Sequence, residues 1–213
     1  MKYSQKNKAR TARAMQILLA VLFVSGLYNG STKVITNAGL GLIATFAPAL
    51  LKRRYDVTVN PFLSLWIASA VFFHALGSFG FYGSVWWWDH MTHALSASLL
   101  AGSGYTLIRA VDLHSDEIYL PNKFMFVFIL LTVIAFGVVW ELFEFGLDII
   151  AEITETPIPL AQHGLEDTMK DMMFNSLGAL IVATLGQAYL SKRSEEFLEK
   201  IKAYREEIEG MIE

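Results

Sequence analysis

Long apolar runs without charge, repeated along the chain, constrain this sequence more than any single motif. Met15–Tyr28, Val34–Leu51 and Phe62–Tyr82 contain no Asp, Glu, Lys or Arg. Further apolar runs extend over Val85–Ile108, Phe124–Ile149 and Asp167–Leu190. A bilayer core about 30 Å thick is crossed by a helix of about 20 residues. Backbone groups in lipid must find their partners within the segment, so such runs fold as helices. With 54% hydrophobic residues and mean hydropathy +0.42 over 213 residues, the apolar residues come in blocks rather than amphipathic stripes. The expected fold is all-α, a polytopic membrane helix bundle of about six transmembrane helices.

Charge at the ends of these runs gives a direction to the chain. Lys2, Lys6, Lys8, Arg10 and Arg13 precede the first run, Lys52-Arg53-Arg54 closes the second, and Lys192-Arg193 follows the sixth. Arg109 and Lys123 edge a polar loop between the fourth and fifth runs, whereas Glu152–Glu166 is acidic, broken by Pro157 and Pro159, and free of Lys and Arg. The positive-inside rule then predicts a multi-pass protein of the plasma membrane with both termini cytoplasmic. A cleaved signal peptide is the rival for the first run; the length of that run and the immediate start of another favour a span. Asn29-Gly30-Ser31 matches a glycosylation sequon but lies too close to the expected bilayer surface to weigh. Residues 1–190 form the six-helix domain, and 191–213 a cytoplasmic amphipathic tail in which Phe197, Ile201, Tyr204, Ile208 and Met211 recur every three or four residues. That stripe is read as a packing or membrane-surface face, with a homo-oligomer helix as the lesser alternative. The net charge of −3 argues against a nucleic-acid partner, and the absence of cysteine excludes thiolate metal sites and cysteine nucleophiles.

Against this background the stretch Trp86-Trp87-Trp88-Asp89-His90-Met91-Thr92-His93 stands out, because interfacial aromatics lead directly into an acid and two imidazoles at the start of a span. An ionisable group within a bilayer costs roughly 2.5–3.5 kcal/mol on insertion scales, which makes such a cluster a functional candidate. Asp89 and His93 are four residues apart and share a helix face. Glu141, Glu144 and Asp148 follow the same helical spacing on the fifth run, and Asp167, Asp171 and Asn175 form a stripe on the sixth. All three clusters sit at the expected outer ends of their helices, so they are predicted to meet at one place. His74 with Ser78 one turn on reads equally as packing or as a supporting partner, and His114 and His163 are expected in loops.

Six acids at that place face only Lys33 and Lys170 among outer basic residues. They must be protonated, hydrated or bound to cations. A carboxylate-rich set with imidazole suits a divalent metal ion such as Mg, Mn, Fe or Zn. The candidate metal ligands are Asp89, His90, His93, Glu141, Glu144, Asp167 and Asp171, with Glu144 also the candidate general base. Templates for a nucleophile elbow, a phosphate loop and H-E-x-x-H are absent from the sequence.

Taken together, Asp89 with His93, Glu141 with Glu144, and Asp167-Thr168 with Asp171-Met172 resemble the pattern D-x-x-x-H, E-x-x-E, D-T-x-x-D-M of the YjdF-like family of uncharacterised prokaryotic integral membrane proteins. His90, Asp148 and Asn175 fall outside that pattern. The resemblance covers helices four to six and implies a membrane protein without an assigned activity. The residues themselves suggest a metal-dependent hydrolase of a lipid or isoprenoid head group, its partners being the bilayer and an amphiphilic substrate. Ion or proton-coupled transport, or a metal-binding accessory role, is the alternative.

Overall fold

A computed structural model describes residues 2–56, 58–114, 119–155 and 164–186, with residue 199. The amphipathic tail expected over 191–213 therefore lies almost wholly outside the described residues, as does His163. Helices α1 (Lys2–Asn29) and α2 (Thr32–Ala44) lead to α3 (Ala47–Tyr55), then α4 (Pro61–Leu76), a π-helical turn (Gly77–Phe81) and the short α5 (Tyr82–Ser84). Next come α6 (Trp88–His114), α7 (Asn122–Thr154) and α8 (Leu165–Ile181), which runs into a second π-helical turn (Val182–Gly186). The described residues contain no strand.

Each boundary has a local cause. Pro48, near the start of α3, has no N–H to offer the carbonyl of Ala44, so the second run divides into α2 and α3. Asn60 caps α4, its side chain accepting from the Phe62 N–H at 2.8 Å, with Pro61 at the first helical position. Asp56 (φ 48°) and Glu155 (φ 50°) end α3 and α7 in the left-handed conformation common at helix C-termini. Helix α6 continues through His114, so the loop expected from Arg109 begins later and His114 is helical. The Arg109 guanidinium pairs with Asp112, and Asp112 accepts the Leu120 N–H at 2.6 Å, which ties the end of α6 to the approach to α7.

The bundle consists of two three-helix groups. Helices α1, α2 and α4 pack mutually around Leu19, Ala38 and Ala75. Helices α6, α7 and α8 pack around Ala101, Tyr105, Ile129, Val133 and Ala179. Trp66 of α4 joins the groups: its ring lies over Gly102 of α6 and its indole N–H donates to Ser98 Oγ at 3.2 Å. Among the described residues, four helical stretches are long and apolar enough to cross a membrane by length and composition: Ser4–Asn29, Thr32–Tyr55, Pro61–Ser84 and Lys123–Thr154. Helices α6 and α8 carry two of the three polar clusters and are the less apolar for it; the third lies on α7. At 33 residues α7 is about 50 Å long, well beyond the hydrocarbon thickness, so its acidic end reaches past the core.

All three helices α6, α7 and α8 pack together, and the most extensive contact is between α6 and α8, which are not consecutive in sequence. The two run parallel, with α7 antiparallel beside them. Gly178 explains how close they come, because its Cα lies against the backbone carbonyl of Ala94 and a Cβ there would collide with it. Small residues permit this approach where lipid offers no hydrophobic drive for association. Gly178→Ala should therefore force α6 and α8 apart and lower stability by about 1–3 kcal/mol. Thermal unfolding in mild detergent measures it, and an unchanged midpoint would contradict the close packing.

Candidate metal centre

Parallel packing of α6 on α8 brings the first two turns of α6 beside the second turn of α8. Asp89 and His93 share one face of α6, as their spacing predicts, and Asp171 meets that face from α8. His93 Nε2 stands 3.6 Å from an Asp89 carboxylate oxygen and 3.5 Å from one of Asp171. Both separations exceed hydrogen-bond length. Two donors each about 2.1 Å from one ion in a tetrahedral arrangement lie about 3.4 Å apart, so this spacing suits ligands gathered about a first-row divalent cation. His90 approaches as well: ligand atoms of Asp89, His90 and Asp171 all lie within 4.8 Å of one another. Its ring is fixed by stacking on Phe174 of α8 at 4.4 Å between centroids, with planes 4° apart.

Asp171 is only 3% exposed, and its Oδ1 has no hydrogen-bond partner among the described residues. A buried carboxylate oxygen left so is costly. The described residues pair no Lys or Arg with Asp89 or Asp171, and His93 is the basic group beside both. Lys170 is engaged with Glu166 at the exposed edge, 2.7 Å away. Asp89, His90 and Asp171 thus form a carboxylate–imidazole group whose ligand atoms lie close enough together to hold a metal ion, with His93 beside both carboxylates.

The other predicted acids surround this group from a second side. Glu141 on α7 is buried, and one of its oxygens accepts the Thr168 hydroxyl of α8 at 2.7 Å. Asp171 lies within electrostatic reach of Asp89, Asp167, Glu141 and Glu144, and Glu144 within reach of Glu141, Asp167 and Asp89. The three sequence clusters thus meet at one end of the α6–α7–α8 group. They divide into donors between α6 and α8 and an acidic flank of Glu141, Glu144 and Asp167. Asn175 is buried one turn below Asp171, against Gly137 of α7. Asp148 is half-buried two turns along α7 from Glu141.

Residues 11–192 match the family described as predicted membrane protein, DUF2238. This chain belongs to that family. Membership accords with the resemblance to YjdF-like proteins carried by the three motifs. A Thermotoga maritima protein described as an uncharacterized protein is 26% identical over 183 residues, covering 84% of this chain and 91% of its own length. No solved structure matches.

Within this DUF2238 chain, sequence reasoning missed the residues that serve the site without being acids or imidazoles. Phe174 fixes His90, and Thr168, quoted above only as part of a motif, holds Glu141; they lie three residues after and three before Asp171, on its face of the helix. Tyr82 and Thr92 lie between α4 and α6, and periodicity did not single them out. For the donor group, Asp171→Asn keeps shape and removes charge. In chelator it should raise stability by about 1–2 kcal/mol by relieving repulsion among the acids, as expected for an uncompensated buried charge. It should also abolish any further stabilisation by added Mn²⁺. A lower unfolding midpoint than the parent in chelator would contradict this account.

Proposed function

We propose that this protein is a membrane-embedded divalent-cation protein whose ion is held by Asp89, His90, His93 and Asp171, with Glu141, Glu144 and Asp167 as flanking acids. The observation that carries the reading is the buried Asp171, one oxygen of which has no hydrogen-bond partner among the described residues, converging with Asp89 and His90 while His93 approaches its other oxygen. The basic residues of α1, the end of α3, Arg109 and Lys123 lie at the ends of their helices remote from the site, so the positive-inside rule puts the site towards the outer face of the plasma membrane.

The chemistry that fits best is hydrolysis of a lipid or isoprenoid head group. A cation in such a site polarises the group attacked and lowers the pKa of a coordinated water. Glu144, half-buried and within electrostatic reach of Asp89, is the flanking acid suited to take up the proton. An apolar groove of about 220 Å³ between α7 and α8, lined by Val138, Leu142, Phe145 and Met172 and bordered by Glu141 and Thr168, offers the apolar part of an amphiphile a lateral seat beside the acidic flank.

An ion path through the bundle is disfavoured by what lies below the site. The interior there is an apolar layer of Ala97, Ala101, Tyr105, Ile129, Val133 and Ala179. Ser96 and Ser103 face outward, and the buried Ser98 is engaged with Trp66 and the Leu95 carbonyl.

Elemental analysis of protein purified in mild detergent without chelator tests the cation. Stoichiometric metal is expected in the parent and none in a folded Asp89→Ala, Asp171→Ala variant; metal-free parent protein after loading with Mg, Mn, Fe and Zn would end the reading. Glu144→Gln should retain metal and lose head-group release from phospholipid vesicles by about 100-fold or more. Equal turnover in that variant would remove Glu144 as the base. The chain has no cysteine, so single cysteines introduced at Lys33 and Lys170 should react with an impermeant maleimide on intact cells, and one at Arg53 only after permeabilisation.

A further inference from the structure

We propose that Tyr82 is a positioning residue for the cation site, acting through Thr92 on the turn of α6 that carries Asp89; the proposal rests on the assignment of Asp89 as a ligand. The segment that presents Tyr82 is built around its ring. The chain kinks over Gly77–Phe81, where Gly80 leaves helical geometry (φ 160°, ψ −13°) before the short α5. The Tyr82 ring folds back onto Gly77, where a Cβ would come within 2.5–2.8 Å of three ring carbons. Only glycine leaves that seat open.

The hydroxyl then reaches two helices. Tyr82 Oη lies 2.5 Å from His74 Nδ1 on α4 and 3.3 Å from Thr92 Oγ1 on α6. Thr92, 2% exposed, donates to the carbonyl of Asp89 at 2.8 Å. A hydroxyl has one proton, so Thr92 has none left for Tyr82. The arrangement that satisfies every contact runs one way: His74 Nδ1–H donates to Tyr82, Tyr82 to Thr92, and Thr92 to the Asp89 carbonyl. This order also fixes the His74 tautomer. A second anchor lies one residue before Asp89, where the Trp88 indole N–H donates to the Phe73 carbonyl at 3.0 Å. Trp88 and Thr92 therefore hold the turn bearing Asp89 against α4 from both sides. The Asp89 carboxylate is left facing His93 and Asp171.

Hydrogen-bonding partners behind metal ligands typically account for 10- to 100-fold in affinity. Tyr82→Phe keeps the ring seated on Gly77 and removes the hydroxyl. It should weaken Mn²⁺ binding by about 10-fold or more, measured by the EPR signal of free Mn²⁺ in a titration of the full-length protein. The Co²⁺ absorption spectrum should change with it. Thr92→Val should lose the same amount, Thr92→Ser should stay within about twofold, and the Tyr82→Phe, Thr92→Val double variant should be no worse than either alone, because both remove one shared interaction. Unchanged Mn²⁺ affinity in Tyr82→Phe, even with a lowered unfolding midpoint in chelator, overturns the positioning role and leaves the cation site standing. A parent protein that binds no Mn²⁺ overturns both. If Tyr82→Phe does not fold, the comparison of Thr92→Ser with Thr92→Val decides alone: equal affinities overturn the proposal.

Discussion

The close approach of α6 to α8 at Ala94 and Gly178 is the contact on which the site depends. Parallel helices held this near bring residues at similar depth face to face, and Asp89 and His93 consequently meet Asp171 rather than lipid. Helix α7 closes the remaining side through Gly137 against Met172 and Asn175, and through the Thr168–Glu141 hydrogen bond. Backbone contact at small residues and side-chain hydrogen bonding thus replace the hydrophobic drive that lipid cannot supply. A side chain at Gly178 would separate the elements carrying the donors without touching any donor.

Polarity is partitioned along the bundle in a way that suits a fixed site. Carboxylates and imidazoles occupy one end, an apolar layer that includes Ile129, Val133 and Ala179 follows, and basic residues stand at the opposite ends of the helices. The polar groups within the second three-helix group are largely engaged locally, as Ser98 is by Trp66. A cluster of acids in such a setting is tolerable when protons, water or a cation compensate it. Asp171 has one oxygen without a hydrogen-bond partner among the described residues, while His93 Nε2 stands 3.5 Å from the other, an arrangement that fits the proposed cation.

The α4 side of the site adds a different kind of order. Its kink at Gly80 and the glycine beneath the Tyr82 ring place a phenol between two three-helix groups that also meet through Trp66 and Trp88. Regular α-helix through Gly77–Phe81 would give the segment a different register, so the irregularity is what connects His74 to Thr92. His74 was equally readable as packing or support from its spacing with Ser78. The observed Ser78 hydroxyl donates to the His74 carbonyl at 3.3 Å, and the imidazole itself is occupied by Tyr82.

Sequence alone determined the helical class and the faces on which Asp89, His93, Glu141 and Asp171 lie, because long apolar runs form helices in lipid and helical periodicity fixes which residues share a side. It also gave the common end of the bundle at which the clusters gather, through the distribution of basic residues. Tertiary structure decided that α8, rather than the sequential neighbour α7, lies closest to α6. It therefore brought Asp89, His90 and Asp171 within reach of one another, with His93 beside both carboxylates and Glu141, Glu144 and Asp167 flanking them. Tyr82, Thr92 and Phe174 were invisible for the same reason. Their roles arise from contacts between helices, and periodicity within one helix carries no information about which other helix will face it.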